Sequence, residues 1–109
     1  MSRGDIWTAT GGVYASKPRP VLIVQDDRFD ETDSVTAIPL TSTAGDAIPL
    51  LRFPVAPGPT SGVTAESWVM IDKITTVRRA RIARYVGRLS ATEMVAVERL
   101  LLVFLGLAG

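Results

Sequence analysis

The sequence predicts a mainly β protein with one helix: a small, strongly bent antiparallel sheet or barrel, followed by a C-terminal helix. Short apolar segments, five or six in all, alternate with turns, and the chain of 109 residues has 7 prolines and 9 glycines to make those turns. A helix-capping signal precedes only the last apolar segment. The length is that of one ordinary domain, so we expect a single domain over residues 1–109.

The first two strands are predicted at residues 5–10 and 17–24. The first includes Trp7, which we expect in the core. A glycine pair and a short loop with Tyr14 separate the two strands. The second strand has four branched apolar residues after two prolines, which stiffen the backbone on both sides of Arg19. We therefore expect an antiparallel pair with Arg19 at its mouth, either as a solvent-exposed end or as a guanidinium aimed at an anion.

Residues 25–33 are strongly acidic and are expected to form a solvated connection with one short helical turn. Their spacing differs from that of a calcium loop and lacks its glycine, so no metal site is expected. The third strand, residues 34–43, ends in the hydroxyls of Thr41, Ser42 and Thr43. Such hydroxyls either cap a turn or donate to phosphate oxygens.

The second half of the sheet is predicted from shorter signals. Two prolines interrupt residues 48–55, which favours an edge strand. We expect a loop at 56–62, strands at 66–71, 74–77 and 84–89, and one helical turn within 78–83.

The terminal helix is predicted over residues 91–105, between a Ser90–Glu93 capping box and Gly106. Its second half is apolar on nearly every face, which predicts burial on more than one side. In so small a protein, with 47% hydrophobic residues, the second side is expected to meet another copy of the chain.

Composition excludes several classes of protein. Cysteine and histidine are both absent, which excludes disulfides, thiolate metal sites and a histidine base. No apolar run approaches the roughly 20 residues of a membrane span, and no leader sequence is recognisable. These features are consistent with a cytoplasmic protein that does not enter membranes.

Charge is unevenly distributed although the net charge is only +1. Residues 73–88 contain six basic side chains and no acidic one. Such a block indicates a polyanion or an acidic protein partner, unless it is simply a solvated face. The candidates for contacts to nucleic-acid phosphates are Lys17, Lys73, Arg78 and Arg79.

Five short motifs, in order along the chain, resemble those of the MazF/PemK family of toxin endoribonucleases. The motifs are Arg-Gly-Asp-Ile-Trp at 3–7, Arg-Pro-Val-Leu-Ile-Val at 19–24, Ala-Ile-Pro-Leu-Thr-Ser-Thr at 37–43, Asp-Lys-Ile-Thr-Thr-Val at 72–77 and Gly-Arg-Leu-Ser at 87–90. The match spans nearly the whole chain. Two departures are a shortened first loop and Met70, where some members have an arginine.

The resemblance implies an SH3-like barrel with a C-terminal helix that works as a homodimer. It implies cleavage of single-stranded RNA at a short recognition sequence without metal or other cofactor, and neutralisation by a small acidic antitoxin. By this analogy the catalytic arginine is Arg19 and the catalytic threonine is Thr41.

The residues themselves fit such chemistry, because RNA carries its own nucleophile in the 2′-hydroxyl. Arg19 would stabilise charge on the phosphate, and Thr41 would donate a hydrogen bond to it. Asp72 would act as a general base or, as we favour, orient Lys73 or Arg19. Tyr14 would stack on a base or cover the barrel. The expected products are a 2′,3′-cyclic phosphate and a 5′-hydroxyl.

Two other functions share this fold. A gyrase-directed toxin of the CcdB type acts through C-terminal residues, typically with a tryptophan near the end, whereas this chain ends in Phe-Leu-Gly-Leu-Ala-Gly. A catalytically inactive binding module would keep the barrel without the chemistry.

Overall fold

The computed structural model describes residues 1–11, 17–43, 45 and 48–108. It contains one antiparallel sheet and one α-helix. The spatial order of the strands is β4-β5-β3-β2-β1-β7, and β6 pairs with the first half of β3. The elements are β1 (Asp5–Ala9), β2 (Arg19–Ile23), β3 (Ser34–Thr41), β4 (Arg52–Val55), β5 (Ser67–Met70), β6 (Thr75–Arg78), β7 (Ile82–Arg88) and α1 (Ala91–Phe104).

The antiparallel sheet of seven strands with a C-terminal helix confirms the predicted fold class, and the sheet is not closed. Within the described residues β4 and β7, the two ends of the strand order, do not pair. The loop after β4 packs against β7 instead, and the amide of Arg88 donates to the carbonyl of Thr60 at 3.0 Å. Gly62 allows this approach: it has φ +75°, and a Cβ there would lie 1.8 Å from the carbonyl oxygen of Val86.

The predicted elements are largely present, with shifted ends. The fourth strand starts only at Arg52, because Pro49 opens a 3₁₀ turn, Pro49–Leu51, in place of the strand's first half. The edge position of β4 is as expected. The acidic connection has its one helical turn, Asp27–Phe29, where the amide of Arg28 donates to Asp26 and lowers the pKa of that carboxyl.

The helix begins at the predicted capping box, in which Ser90 and Glu93 each accept a hydrogen bond from the other's amide. Only Met94 and Val97 of this helix are buried. The apolar C-terminal end of the helix is not covered by the rest of the described chain, since residues 102–105 are all at least 40% exposed. Within the described residues, no helix is long and apolar enough to cross a membrane.

Two hydrophobic clusters lie on the two faces of the sheet. The main cluster includes Ile6, Leu22 and Ile38, and the helix covers it through Val97. The second cluster is smaller and contains Val21 and four other buried residues of β1, β2 and β3. Trp7 packs against this second cluster as expected, with its ring edge-on to Tyr85. Alternation along each strand therefore decides which side chains face the helix and which face outward.

Candidate active site

The pairing of β2 with β3 brings Arg19 and Thr41 to the same end of the sheet. These antiparallel strands pair Val21 with Pro39 and Leu22 with Ile38. These pairs end at Val21 and Pro39, and two residues beyond them lie Arg19, the first residue of β2, and Thr41, the last residue of β3, which line the same cavity. Cross-strand neighbours share a face of the sheet, with Cβ atoms roughly 5 Å apart. The two residues that the sequence singled out therefore meet at one end of the sheet.

A cavity of about 330 Å³ lies at this end of the sheet. The loop at residues 62–65 forms its far wall. Its lining combines five apolar residues with one arginine and five hydroxyl residues. The apolar residues are Pro20, Leu40, Val63, Ala65 and Val86; the polar ones are Arg19, Thr8, Thr41, Ser42, Thr64 and Ser67.

Arg19 presents an exposed cation at the cavity rim. Within the part of the chain that the structure describes, no carboxylate forms an ion pair with it. A small apolar groove of about 40 Å³ adjoins the cavity, and Lys17 lines it together with Arg19. An anion at this rim would therefore meet the guanidinium of Arg19, with the ammonium of Lys17 in the adjoining groove.

The Thr41 hydroxyl is held by the turn that follows it. The amide of Thr43 donates to Thr41 Oγ1 at 3.1 Å, and the Thr41 hydroxyl donates in turn to the carbonyl oxygen of Thr43 at 3.3 Å. This is the turn-capping arrangement expected of the three hydroxyl residues. To donate to a phosphate oxygen, the hydroxyl would exchange the Thr43 carbonyl for the phosphate, whose charged oxygen is the stronger acceptor. Ser42 and Thr43 are exposed beside it.

Asp72 lies outside the cavity, in the 3₁₀ turn Ile71–Lys73. Its carboxylate pairs with the guanidinium of Arg52, rather than with Arg19 or Lys73, which corrects the expected orienting role. Burial opposes ionisation of Asp72, but the hydrogen bond and charge of Arg52 outweigh it and lower its pKa. A carboxylate with a lowered pKa is a weak base, so this geometry does not favour Asp72 as a general base either.

Two arginines of the basic block, Arg78 and Arg79, lie away from Arg19. Arg78 pairs with Ser34 at the start of β3, whereas Thr41 ends that strand, roughly 23 Å away at about 3.3 Å per residue. Arg79 donates to the Thr32 carbonyl at 2.8 Å and to its hydroxyl at 3.3 Å. Both arginines line a cavity of about 640 Å³ with the acidic side chains of Asp30, Glu31 and Asp33.

The remaining candidates are less informative. Lys73 is partly buried in the 3₁₀ turn and does not line the Arg19–Thr41 cavity. Tyr14 lies outside the described residues. No group of three or more acidic side chains in the described ranges is arranged to hold a metal ion.

Sequence reasoning missed Trp68, which pairs directly with Thr41 in the β3–β5 ladder. Its neighbours Val69 and Ile71 are fully buried in the main cluster. Strand alternation therefore puts Trp68 on the opposite face, the one that it shares with Thr41. The alternation of residues along this predicted strand is visible in the sequence, and it could have indicated that Trp68 faces away from Val69 and Ile71.

Comparisons with known proteins identify the family to which this chain belongs. The profile of the PemK-like, MazF-like toxins of type II toxin-antitoxin systems matches residues 2–105. A probable endoribonuclease MazF of Mycolicibacterium smegmatis is 56% identical over 110 residues, covering 100% of both chains.

Solved structures share the fold. The Mycobacterium tuberculosis toxin MazF-mt6 superposes with a TM-score of 0.81 at 24% identity, covering 96% of this chain and 99% of that one. A mycobacterial endoribonuclease in complex with its cognate antitoxin has a TM-score of 0.77 at 28% identity, covering 100% and 98%. The match to the family profile and the 56% identity together establish that this chain belongs to the PemK-like, MazF-like toxin family.

Proposed function

We propose that this chain is an endoribonuclease toxin that cleaves single-stranded RNA at the Arg19–Thr41 pair. The observation that carries the proposal is that Arg19 and Thr41 line one cavity, where no carboxylate of the described residues pairs with the Arg19 guanidinium. The 56% identity to a probable endoribonuclease MazF supports the same activity. We further propose that residues 1–109 form a single domain that acts in the cytoplasm. It cuts RNA at a short recognition sequence.

The proposed reaction needs no metal. The 2′-oxygen attacks phosphorus and the 5′-oxygen leaves, which gives a 2′,3′-cyclic phosphate and a 5′-hydroxyl. The proton lost by the 2′-hydroxyl and the proton gained by the 5′-oxygen exchange with water in the open cavity. Arg19 stabilises the extra charge on the phosphate through two N–H groups, and Thr41 donates one hydrogen bond to a non-bridging oxygen.

The decisive experiment incubates the purified protein with a long RNA of defined sequence in excess chelator. We expect discrete cuts whose 3′ fragments accept a labelled phosphate from polynucleotide kinase without prior dephosphorylation, as 5′-hydroxyl ends do. An intact RNA would reject the nuclease and favour an inactive binding module, whereas cleavage that stops on adding chelator would reject the metal-free route.

Two partners complete the proposal. The first is a second copy of the chain, packed on the exposed apolar end of α1, where Leu102, Val103 and Phe104 are 40%, 45% and 41% exposed. Sedimentation should give the mass of a dimer, and Leu102→Glu should shift it towards that of the monomer. A monomeric wild type would reject this interface.

The second partner is an acidic antitoxin. A structural relative is an endoribonuclease in complex with its cognate antitoxin, and Arg19 and Lys17 offer positive charge at the cavity rim. An acidic peptide that occupies this rim would exclude RNA, so a cognate antitoxin should inhibit cleavage competitively. Inhibition that excess RNA fails to relieve would place the antitoxin elsewhere.

A further inference from the structure

Trp68 is an aromatic residue of β5, the strand next to the one that ends in Thr41. The β3–β5 ladder pairs it directly with Thr41, so its indole stands one strand away on the same face. On the other side it pairs with Pro54 of the edge strand β4, whose side chain is exposed. Met70, two residues further along β5, shares that face and is partly exposed. An apolar surface therefore extends from the Thr41 hydroxyl towards the sheet edge.

The two tryptophans of the chain differ in how the fold uses them. Trp7 packs against the second hydrophobic cluster, and its indole N–H donates to Asp5 at 3.3 Å. Trp68 is partly exposed and belongs to neither cluster of the described residues. Among hydrogen bonds between described residues, none uses its indole N–H. Core packing thus accounts for Trp7 and leaves Trp68 unexplained.

We propose that Trp68 is a stacking platform for the nucleobase next to the scissile phosphate. A phosphate bound between Arg19 and Thr41 would have an aromatic face one strand away, within reach of the neighbouring nucleotide. Every base has a π-face, so stacking adds affinity without reading sequence. This inference rests on the proposed function in one respect, namely that a phosphodiester occupies the Arg19–Thr41 rim.

Fluorescence tests the contact independently of cleavage. The chain has two tryptophans, so Trp7→Phe leaves Trp68 as the sole indole. The probes are four 5′-labelled homopolymer decamers of 2′-O-methyl RNA, which cannot be cleaved because the nucleophile is blocked. We expect saturable quenching of Trp68 that tracks binding measured by anisotropy. Binding without quenching, or no binding by a protein that cleaves RNA, would overturn the proposal.

Matched substitutions at Trp68 separate stacking from packing. Trp68→Leu keeps an apolar side chain but removes the aromatic face, and should weaken decamer binding by about tenfold. Trp68→Phe should restore affinity to within about threefold of the wild type. Quenching by an acidic peptide but not by any decamer would assign the tryptophan to a protein partner and reject the base platform.

Kinetics give a second readout, which a purely structural role would not produce. A base that stays stacked throughout the reaction contributes equally to ground-state and transition-state binding. Trp68→Leu should therefore raise KM by about tenfold and leave kcat within about twofold, with an unchanged Tm. A lowered Tm with unchanged KM would overturn the proposal. If wild type fails to cleave RNA while Trp68 is still quenched, the proposed function fails and the base contact stands.

Discussion

Two arginines open strands of the same sheet, and their surroundings differ. Arg52, at the start of β4, has a side chain only 11% exposed, paired with Asp72 and donating to the Leu51 carbonyl at 2.9 Å. Arg19, at the start of β2, is exposed and has no carboxylate partner within the described residues. A paired guanidinium stabilises its own fold, whereas an unpaired one beside a cavity is available to an anion. The difference teaches that position at the start of a strand does not decide whether an arginine is paired, and we propose that pairing separates the roles of these two cations.

The largest effect should come from Arg19. Arg19→Ala removes the proposed charge stabilisation, which is worth roughly 3–4 kcal/mol, and so should lower kcat/KM by at least about 100-fold. The free energy of unfolding should not change, because this side chain supports no contact in the core. The measurement is initial cleavage rate against RNA concentration, with exposed Arg99→Ala as the control for lost positive charge. Wild-type activity in Arg19→Ala would reject the proposed site.

Arg52 should show the reverse pattern. Arg52→Ala leaves the Asp72 carboxylate without its partner and should lower the free energy of unfolding by about 1–3 kcal/mol, because the pair is partly buried. The rate of RNA cleavage per folded molecule should stay within about twofold. Urea denaturation measures the free energy of unfolding. The cleavage rate is measured separately and divided by the concentration of folded protein. Cleavage lost without loss of stability would contradict the structural role.

The pH dependence of stability sharpens the same contrast. The folded-state pKa of Asp72 lies below its usual value of 3.8. Its stabilising contribution is therefore fully present above pH 3.8 and is lost as pH falls through the lower folded-state pKa. Asp72→Asn should reduce the loss of unfolding free energy as pH falls below 3.8, whereas Arg19→Ala should leave that pH dependence unchanged. A pH dependence in Asp72→Asn as steep as in wild type would contradict the assignment.

A smaller effect is expected at the turn that holds the Thr41 hydroxyl. Thr43→Pro removes the amide that donates to Thr41 Oγ1, and should lower kcat by about tenfold, the cost of one hydrogen bond of about 1.4 kcal/mol. Thr43→Ala keeps the amide and is the matched control, with expected wild-type kcat. Equal losses in both variants would attribute the effect to the Thr43 side chain instead.

The smallest effect should distinguish the two neighbouring arginines of the basic block. Arg79 is engaged with Thr32, so Arg79→Ala should lower Tm by a few degrees without changing how RNA affinity depends on salt. Arg78 is exposed, and Arg78→Ala should reduce that salt slope by about 0.7 if it contacts a phosphate of single-stranded RNA. An unchanged slope in Arg78→Ala would remove it from the RNA path.

The sequence predicted those structural features that depend only on residues close together along the chain. The Ser90–Glu93 box fixed the helix start, and the prolines around Arg19 marked the mouth of β2. The family resemblance selected Arg19 and Thr41, and the strand register then supplied a geometric reason for the choice.

The features that needed the fold were those set by distant pairings. Asp72 was assigned to Lys73 or Arg19 because they are its neighbours in sequence or in motif, yet Arg52, from another strand, is its partner. The opening between β4 and β7 depends on how the loop at 58–63 packs, which no local pattern encodes. Trp68 was accessible from alternation alone and was overlooked.

The most direct test of the central claim is a double-mutant cycle on Arg19→Ala and Thr41→Val, measured as single-turnover cleavage of one RNA. If both side chains hold the same phosphate, the double variant should lose clearly less than the product of the two single losses, a coupling of at least about 1 kcal/mol. If the free-energy losses of the two single variants add up to that of the double variant within about 0.5 kcal/mol, the two groups act independently. That result would contradict a shared site across β2 and β3.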